Sequence, residues 1–160
     1  MASFRTTKAG IKLHTQLDIK TGIPEFILFT NASVHDVNAL DFVSFELNSF
    51  YIMDRGYVDY KRLYKTHQCD AFFVTRAKDN MDYRRLYPHK KDVGAGILAD
   101  QSVMLNGFYV SKYYPIKLPR IKFYDAESKK ILIFLTNDFI TDAIKITLLY
   151  KSRWQIELFF

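Results

Sequence analysis

Four short apolar runs, at residues 26–30, 50–53, 71–75 and 131–135, limit what this chain can fold into more than any other feature. Runs this short and this apolar read as buried strands rather than helices. Residues 11–19 alternate apolar and polar side chains, and Thr21-Gly22-Ile23-Pro24 supplies a turn toward 26–30. Helical spacing falls elsewhere. Val37, Leu40 and Val43 form one stripe across residues 35–46, and a second helix is expected over 59–67. Asn137, Asp138 and Thr141 are capping candidates for a helix over 142–150, and a further helix starts near Ser152 and runs on, uncapped, to Phe160. Between 83 and 123 the helical period disappears. Gly94, Gly96, Gly107, Pro115 and Pro119 punctuate that region, so stretches such as 102–105 and 108–111 read as strands and loops. Together these elements predict an α/β layout around a mixed sheet.

Composition removes several function classes. Hydrophobic residues make up 49% of the chain, too many for a disordered segment. No apolar run approaches the roughly 18 residues of a membrane span, and Met1-Ala2-Ser3-Phe4-Arg5 does not lead into a signal-peptide core. The single cysteine, Cys69, excludes an internal disulfide or a thiolate metal cluster, in keeping with a reducing cytoplasm. Charge is unevenly placed. Residues 76–130 hold twelve Lys and Arg against six Asp and Glu, so this segment carries the chain's whole net charge of +6. A basic stretch rich in Tyr and Phe suits a surface that neutralises phosphates, and equally a solvated sheet face.

Two segments carry candidate chemistry. In Phe50-Tyr51-Ile52-Met53-Asp54-Arg55-Gly56-Tyr57 a strand delivers Asp54 to its C-terminal edge, where open α/β sheets place reactive groups. An N-cap or turn role for Asp54 accounts for the same pattern. In the second segment Tyr150, Arg153 and Glu157 recur at steps of three and four and share one helix face; an ordinary i,i+4 ion pair would give the same spacing. Trp154 reads as a packing anchor. His14, His35, His67 and His89 lack the spacing of a zinc site, and no Ser or Cys stands in a nucleophile motif.

Jointly, Asp54-Arg55-Gly56-Tyr57 and the later Tyr150-x2-Arg153-x3-Glu157 resemble the catalytic core of DDE-type insertion-sequence transposases with a Tyr-Arg-Glu motif. Lys12-Leu13-His14-Thr15, Val34-His35-Asp36 and Phe73-Val74-Thr75-Arg76 extend the likeness along the chain. The resemblance implies an RNase H-like core from residues 1–75 and 130–160, with 76–129 as a basic, β-rich insertion. It also implies DNA cleavage and joining with two Mg²⁺ or Mn²⁺ ions roughly 3.5–4 Å apart. Asp54 and Glu157 would be metal-binding catalytic acids. Tyr150 and Arg153 would contact DNA, and Arg55 would either do the same or form a structural ion pair. The partners implied are transposon-end and target DNA, in the bacterial cytoplasm, with a dimer as the working form.

The chain also departs from that pattern. The family's first acid sits on a strand ahead of the region that begins at Met1, and no acid occurs before Asp18. Asp18 itself ends a strand that follows the catalytic one in the family layout. The family's lysine at the seventh position after the glutamate has no counterpart, because the chain stops at Phe160. The expectation is therefore a truncated catalytic domain lacking its first strand and inactive as an isolated chain. The alternative is a non-catalytic remnant that binds nucleic acid through its basic β segment.

Overall fold

The computed structural model describes residues 10–157, with the side chains of Phe26 and of residues 155–157 outside that description. Two compact units emerge, Met1–Val43 and Ser44–Phe160.

In the first unit, β1 (Ile11–Leu17) and β2 (Pro24–Asn31) pair antiparallel, with Leu13 opposite Phe29 and Thr15 opposite Ile27. The intervening turn is built on Asp18. Its Oδ1 accepts from the Lys20 amide at 2.7 Å and its carbonyl accepts from the Gly22 amide at 2.7 Å. Asp18 is thus a turn-forming residue, of the kind whose side chain bonds its own backbone two residues on. Residues 35–46, expected as a helix, form only a 3-10 turn over Asp36–Phe42. His35 supplies no side-chain cap, and Asn38, Asp41 and the β-branched Val37 are weak helix formers. Lys12 instead holds the start of this turn through Asp36 Oδ1 at 3.0 Å and the Val34 carbonyl at 2.9 Å.

The second unit is a mixed sheet of six strands with helices on both faces. β3 (Phe50–Met53) and β4 (Phe72–Arg76) run parallel, with Met53 opposite Thr75. A parallel pair needs a crossover, and α1 (Tyr60–Gln68) provides it. Asp59 caps that helix by accepting from the Arg62 amide at 3.0 Å. The remaining strands are β5 (Tyr83–Pro88), β6 (Ile97–Leu105), β7 (Leu118–Asp125) and β8 (Lys130–Thr136). The order across the sheet is β3-β4-β8-β7-β6-β5, and every pairing after the first is antiparallel. The short strand 50–53 and the apolar strand at 130–136 fall where the sequence puts them. Residues 108–111, expected as extended, lead instead into a single helical turn, α2 (Val110–Tyr113).

One long helix, α3 (Ala143–Glu157), covers one face of the sheet. The sequence suggested two helices with a break near Ser152. No break occurs, because the Ser152 hydroxyl bonds back to the Leu149 carbonyl at 2.5 Å and leaves the helix intact. The continuation to Phe160 lies outside the described residues. Ile146 and Tyr150 on α3 are fully buried against Val74, Ile97, Ile121, Phe123, Leu132 and Phe134. Such side chains contribute roughly 1.5–3 kcal/mol each.

Strand alternation sends Arg120 and Lys122 of β7, and Ile131 and Ile133 of β8, to the opposite face. Part of that face is covered by aromatic packing, with Phe73 edge-on to Tyr114 at 6.2 Å and Tyr114 edge-on to Tyr64 at 5.6 Å. Asn137, expected as a cap, instead clamps two strands: its Oδ1 accepts from the Phe73 amide at 2.9 Å and its Nδ2 donates to the Ala71 carbonyl at 2.8 Å. No helix among the described residues is long and apolar enough to cross a membrane.

Candidate active site

Asp54 follows the last residue of β3 and starts a short 3-10 turn over Arg55–Tyr57. Its carboxylate accepts from the Arg55 amide at 2.7 Å and its carbonyl from the Tyr57 amide at 2.9 Å. The capping role and the strand-edge role thus coincide in one residue. Parallel pairing of β3 with β4 puts the end of β4 at the same edge, and that end is Arg76.

From the other side α3 brings two groups to Asp54. The Tyr150 hydroxyl donates to Oδ1 at 3.3 Å, and an Nη of Arg153 lies 3.7 Å from the same oxygen. The Arg153 guanidinium also sits over the Tyr150 ring at 5.3 Å. Tyr150 is held rigidly. Its ring is buried, lies 5.0 Å from Phe134 and packs edge-on to Trp154 at 6.0 Å. Trp154, packed against the core, is the anchor its sequence position suggested.

Burial pushes the Tyr150 phenol above its ordinary value; Arg153 and Arg76 oppose this, while Asp54 adds to it. The phenol therefore keeps its proton at neutral pH and acts as a donor. Asp54 is half exposed, and its contacts with Arg55, Tyr150 and Arg153 all fall on Oδ1. A solvent-facing carboxylate with one oxygen oriented by donors is a hard-oxygen group of the kind divalent cations prefer.

Glu157 is the last residue of α3, one turn beyond Arg153. The unbroken helix keeps Tyr150, Arg153 and Glu157 on one face, with an axial rise of about 6 Å from Arg153 to Glu157. The Glu157 side chain lies outside the described residues, and among the described residues no cluster of three His, Cys, Asp or Glu is placed to hold a metal ion. Arg55 turns to Asp79, donating through Nη1 to both carboxylate oxygens at 3.0 Å.

Two contributions were not read from the sequence. Arg76 was visible only as the end of a strand, and its place beside Tyr150 depends on which strand pairs with β3. The second is the anchor of α3: Lys151 Nζ bonds Asp125 Oδ1 at 2.9 Å and Glu127 Oε2 at 3.1 Å on the β7–β8 connection. That bond fixes the helix one residue after Tyr150. Three of the four histidines make separate side-chain contacts. His14 meets Thr30 at 2.9 Å and His67 meets Asn137 at 3.3 Å. His89 lies between Asp100 at 3.0 Å and Ser102 at 2.8 Å. That last chain has the order of a hydrolase triad, but Ser102 is completely buried and presents no hydroxyl to a substrate.

A family model described as the transposase DDE domain matches residues 3–160. The chain belongs to that family. Among its relatives is a protein of Sinorhizobium fredii named as transposase y4zB, 35% identical over 155 residues that cover 94% of this chain and 43% of that protein. Another, from Geobacillus stearothermophilus, is named as a transposase for insertion sequence element IS5377; it is 25% identical, over 99% of this chain and 42% of its own length. The DDE-domain chain thus spans less than half the length of the curated relatives it matches.

Proposed function

We propose that this chain is catalytic-core sequence of a DNA transposase, in which Asp54 and Glu157 are two of the acids that serve cleavage and joining of DNA phosphodiesters. The observation that carries the reading is convergence. Tyr150 and Arg153, on the helix that bears Glu157, meet Asp54 across 96 residues of chain. An RNase H-like core suits the mixed sheet, with β3 delivering Asp54 to its edge. In this reading residues 76–129 are the basic β-rich insertion between core parts 1–75 and 130–160, and the intact protein works as a dimer on transposon-end and target DNA.

Asp54 and Glu157 would hold Mg²⁺ or Mn²⁺, whose bound charge activates an oxygen nucleophile and offsets the negative charge at phosphorus. The protein's own groups do the rest. Tyr150 donates to Oδ1 and holds the Asp54 carboxylate in one orientation without giving up its proton. Arg153 offers a planar fork suited to a phosphate beside the acid. Arg55, on the same turn and paired with Asp79, would reach a phosphate only by exchanging that carboxylate for it. Two carboxylates form a weaker cation site than three, so the isolated chain is expected to be inactive.

The test uses a longer protein that includes the flanking sequence. Asp54→Asn and Glu157→Gln should each abolish metal-dependent nicking and strand transfer of element-end DNA while leaving DNA binding intact. Full strand-transfer activity in either variant would remove that residue from the catalytic set.

A further inference from the structure

Arg120 is the most unusual charged residue of the fold. It lies in mid-strand on β7 and is 7% exposed, and its Nε has no hydrogen-bond partner among the described residues. Its guanidinium stacks over the Tyr83 ring at 4.6 Å, and no carboxylate pairs with it there. A buried cation without a counter-charge costs several kcal/mol by general estimates, and a ring face offsets only about 2 kcal/mol of that. The cost is removed when an anion enters.

Space for an anion adjoins it. Arg120 and Tyr83 line a cavity of about 200 Å³ together with Lys78, Asp79 and Met81. The acid in that lining, Asp79, is already engaged by Arg55. Beyond Arg120 a broader hollow of about 550 Å³ continues across the sheet and adds Arg85, Gln101 and Lys122. The hollow lies on the face turned away from α3, since Arg120 and Lys122 alternate with the core residues Ile121 and Phe123.

We propose that this face is a binding surface for the phosphate backbone of DNA, additional to the Asp54 site. It rests on the DNA-transposase reading above and names a surface for it. Arg120 and Lys122, two residues apart on one strand, present cations at a spacing of about 7 Å, and Arg85 and Lys78 extend the array. A row of charges suits a polyanion better than a single small anion. The Tyr83–Arg120 stack holds the central guanidinium in a fixed orientation.

The measurement is fluorescence anisotropy of a labelled DNA duplex with the 160-residue chain over a series of salt concentrations. Arg120→Gln is avoided as the sole probe because a buried substitution can disturb folding. The double variant Arg85→Gln/Lys122→Gln removes one exposed and one half-buried cation instead, with circular dichroism confirming the fold. Each phosphate contact contributes about 0.9 to the slope of log affinity against log salt. The double variant should therefore lower the slope by about 2, and Arg153→Gln, reporting on the Asp54 site, by about 1. An unchanged slope in the double variant, with a lowered slope in Arg153→Gln, overturns the second surface and leaves the DNA reading standing. Absence of salt-dependent binding by the unaltered chain overturns both.

Discussion

The Tyr150 hydroxyl donates to Asp54 Oδ1 at 3.3 Å, joining the end of a four-residue strand to a helix 96 residues later in the chain. The phenol is anchored by its ring, which is buried against Phe134 and Trp154. The bond thus transmits the rigidity of the core to a half-exposed carboxylate.

Removing the hydroxyl alone should separate positioning from packing. Tyr150→Phe is expected to cost about 0.5–1.5 kcal/mol, the net value of one hydrogen bond, while Tyr150→Ala should cost about 3–5 kcal/mol through cavity formation. Urea unfolding of both variants checks the contrast. Equal losses would show that the hydroxyl, not the ring, dominates.

The anchor of α3 gives a pH dependence with a definite sign. The Ser128 hydroxyl and then Lys151 hold the Asp125 carboxyl below its ordinary range. A lowered folded-state value means its stabilisation is present above the unfolded value of about 4 and disappears as pH falls through the folded value. Asp125→Asn should therefore destabilise the chain by about 1–3 kcal/mol at pH 7, and the difference should vanish under acid below that range. Glu127, largely exposed, should contribute far less to this anchor. Urea midpoints at neutral and acid pH test it, and a constant difference would count against the ion pair.

Tyr114 offers a stabilising change. Its ring is buried, burial pushes its phenol upward, and its hydroxyl has no partner among the described residues. Tyr114→Phe keeps the contacts with Phe73 and Tyr64 and relieves an unsatisfied polar group, so stability should rise by about 1 kcal/mol. Thermal denaturation reads this directly, and a lowered midpoint would mean the hydroxyl is satisfied.

Gly96 should resist substitution. It sits at φ +90°, and an added Cβ would stand 2.8 Å from the Tyr124 carbonyl oxygen, the residue whose amide bonds back to Gly96 at 2.9 Å. Gly96→Ala is expected to cost about 1–3 kcal/mol through strain and to loosen the β6–β7 pairing, which amide exchange at Tyr124 would report. Unchanged exchange would show that the backbone adjusts without loss.

Much of the architecture was legible locally. The runs at 50–53 and 131–135 formed β3, at the edge of the sheet, and the body of β8 within it, because a short apolar run with nowhere else to bury itself has few alternatives to a strand. The shared face of Tyr150, Arg153 and Glu157 followed from helical spacing alone. The readings that failed were those where local signals compete. Weak helix formers left residues 36–42 as a 3-10 turn, and Ser152 bonded back to its own helix instead of ending it.

Sequence by itself determined the α/β class, the strand that carries Asp54 and the helix face opposite it, since these depend on residue periods of two and 3.6. Basic charge in residues 76–130 was equally plain. Only the tertiary structure decided that Arg76 stands beside Tyr150, that Lys151 pins α3 through Asp125, and that Arg120 lies buried with its Nε unsatisfied among the described residues. Those facts depend on strand order and on which face each strand presents, and both are set by long-range pairing that no local pattern encodes.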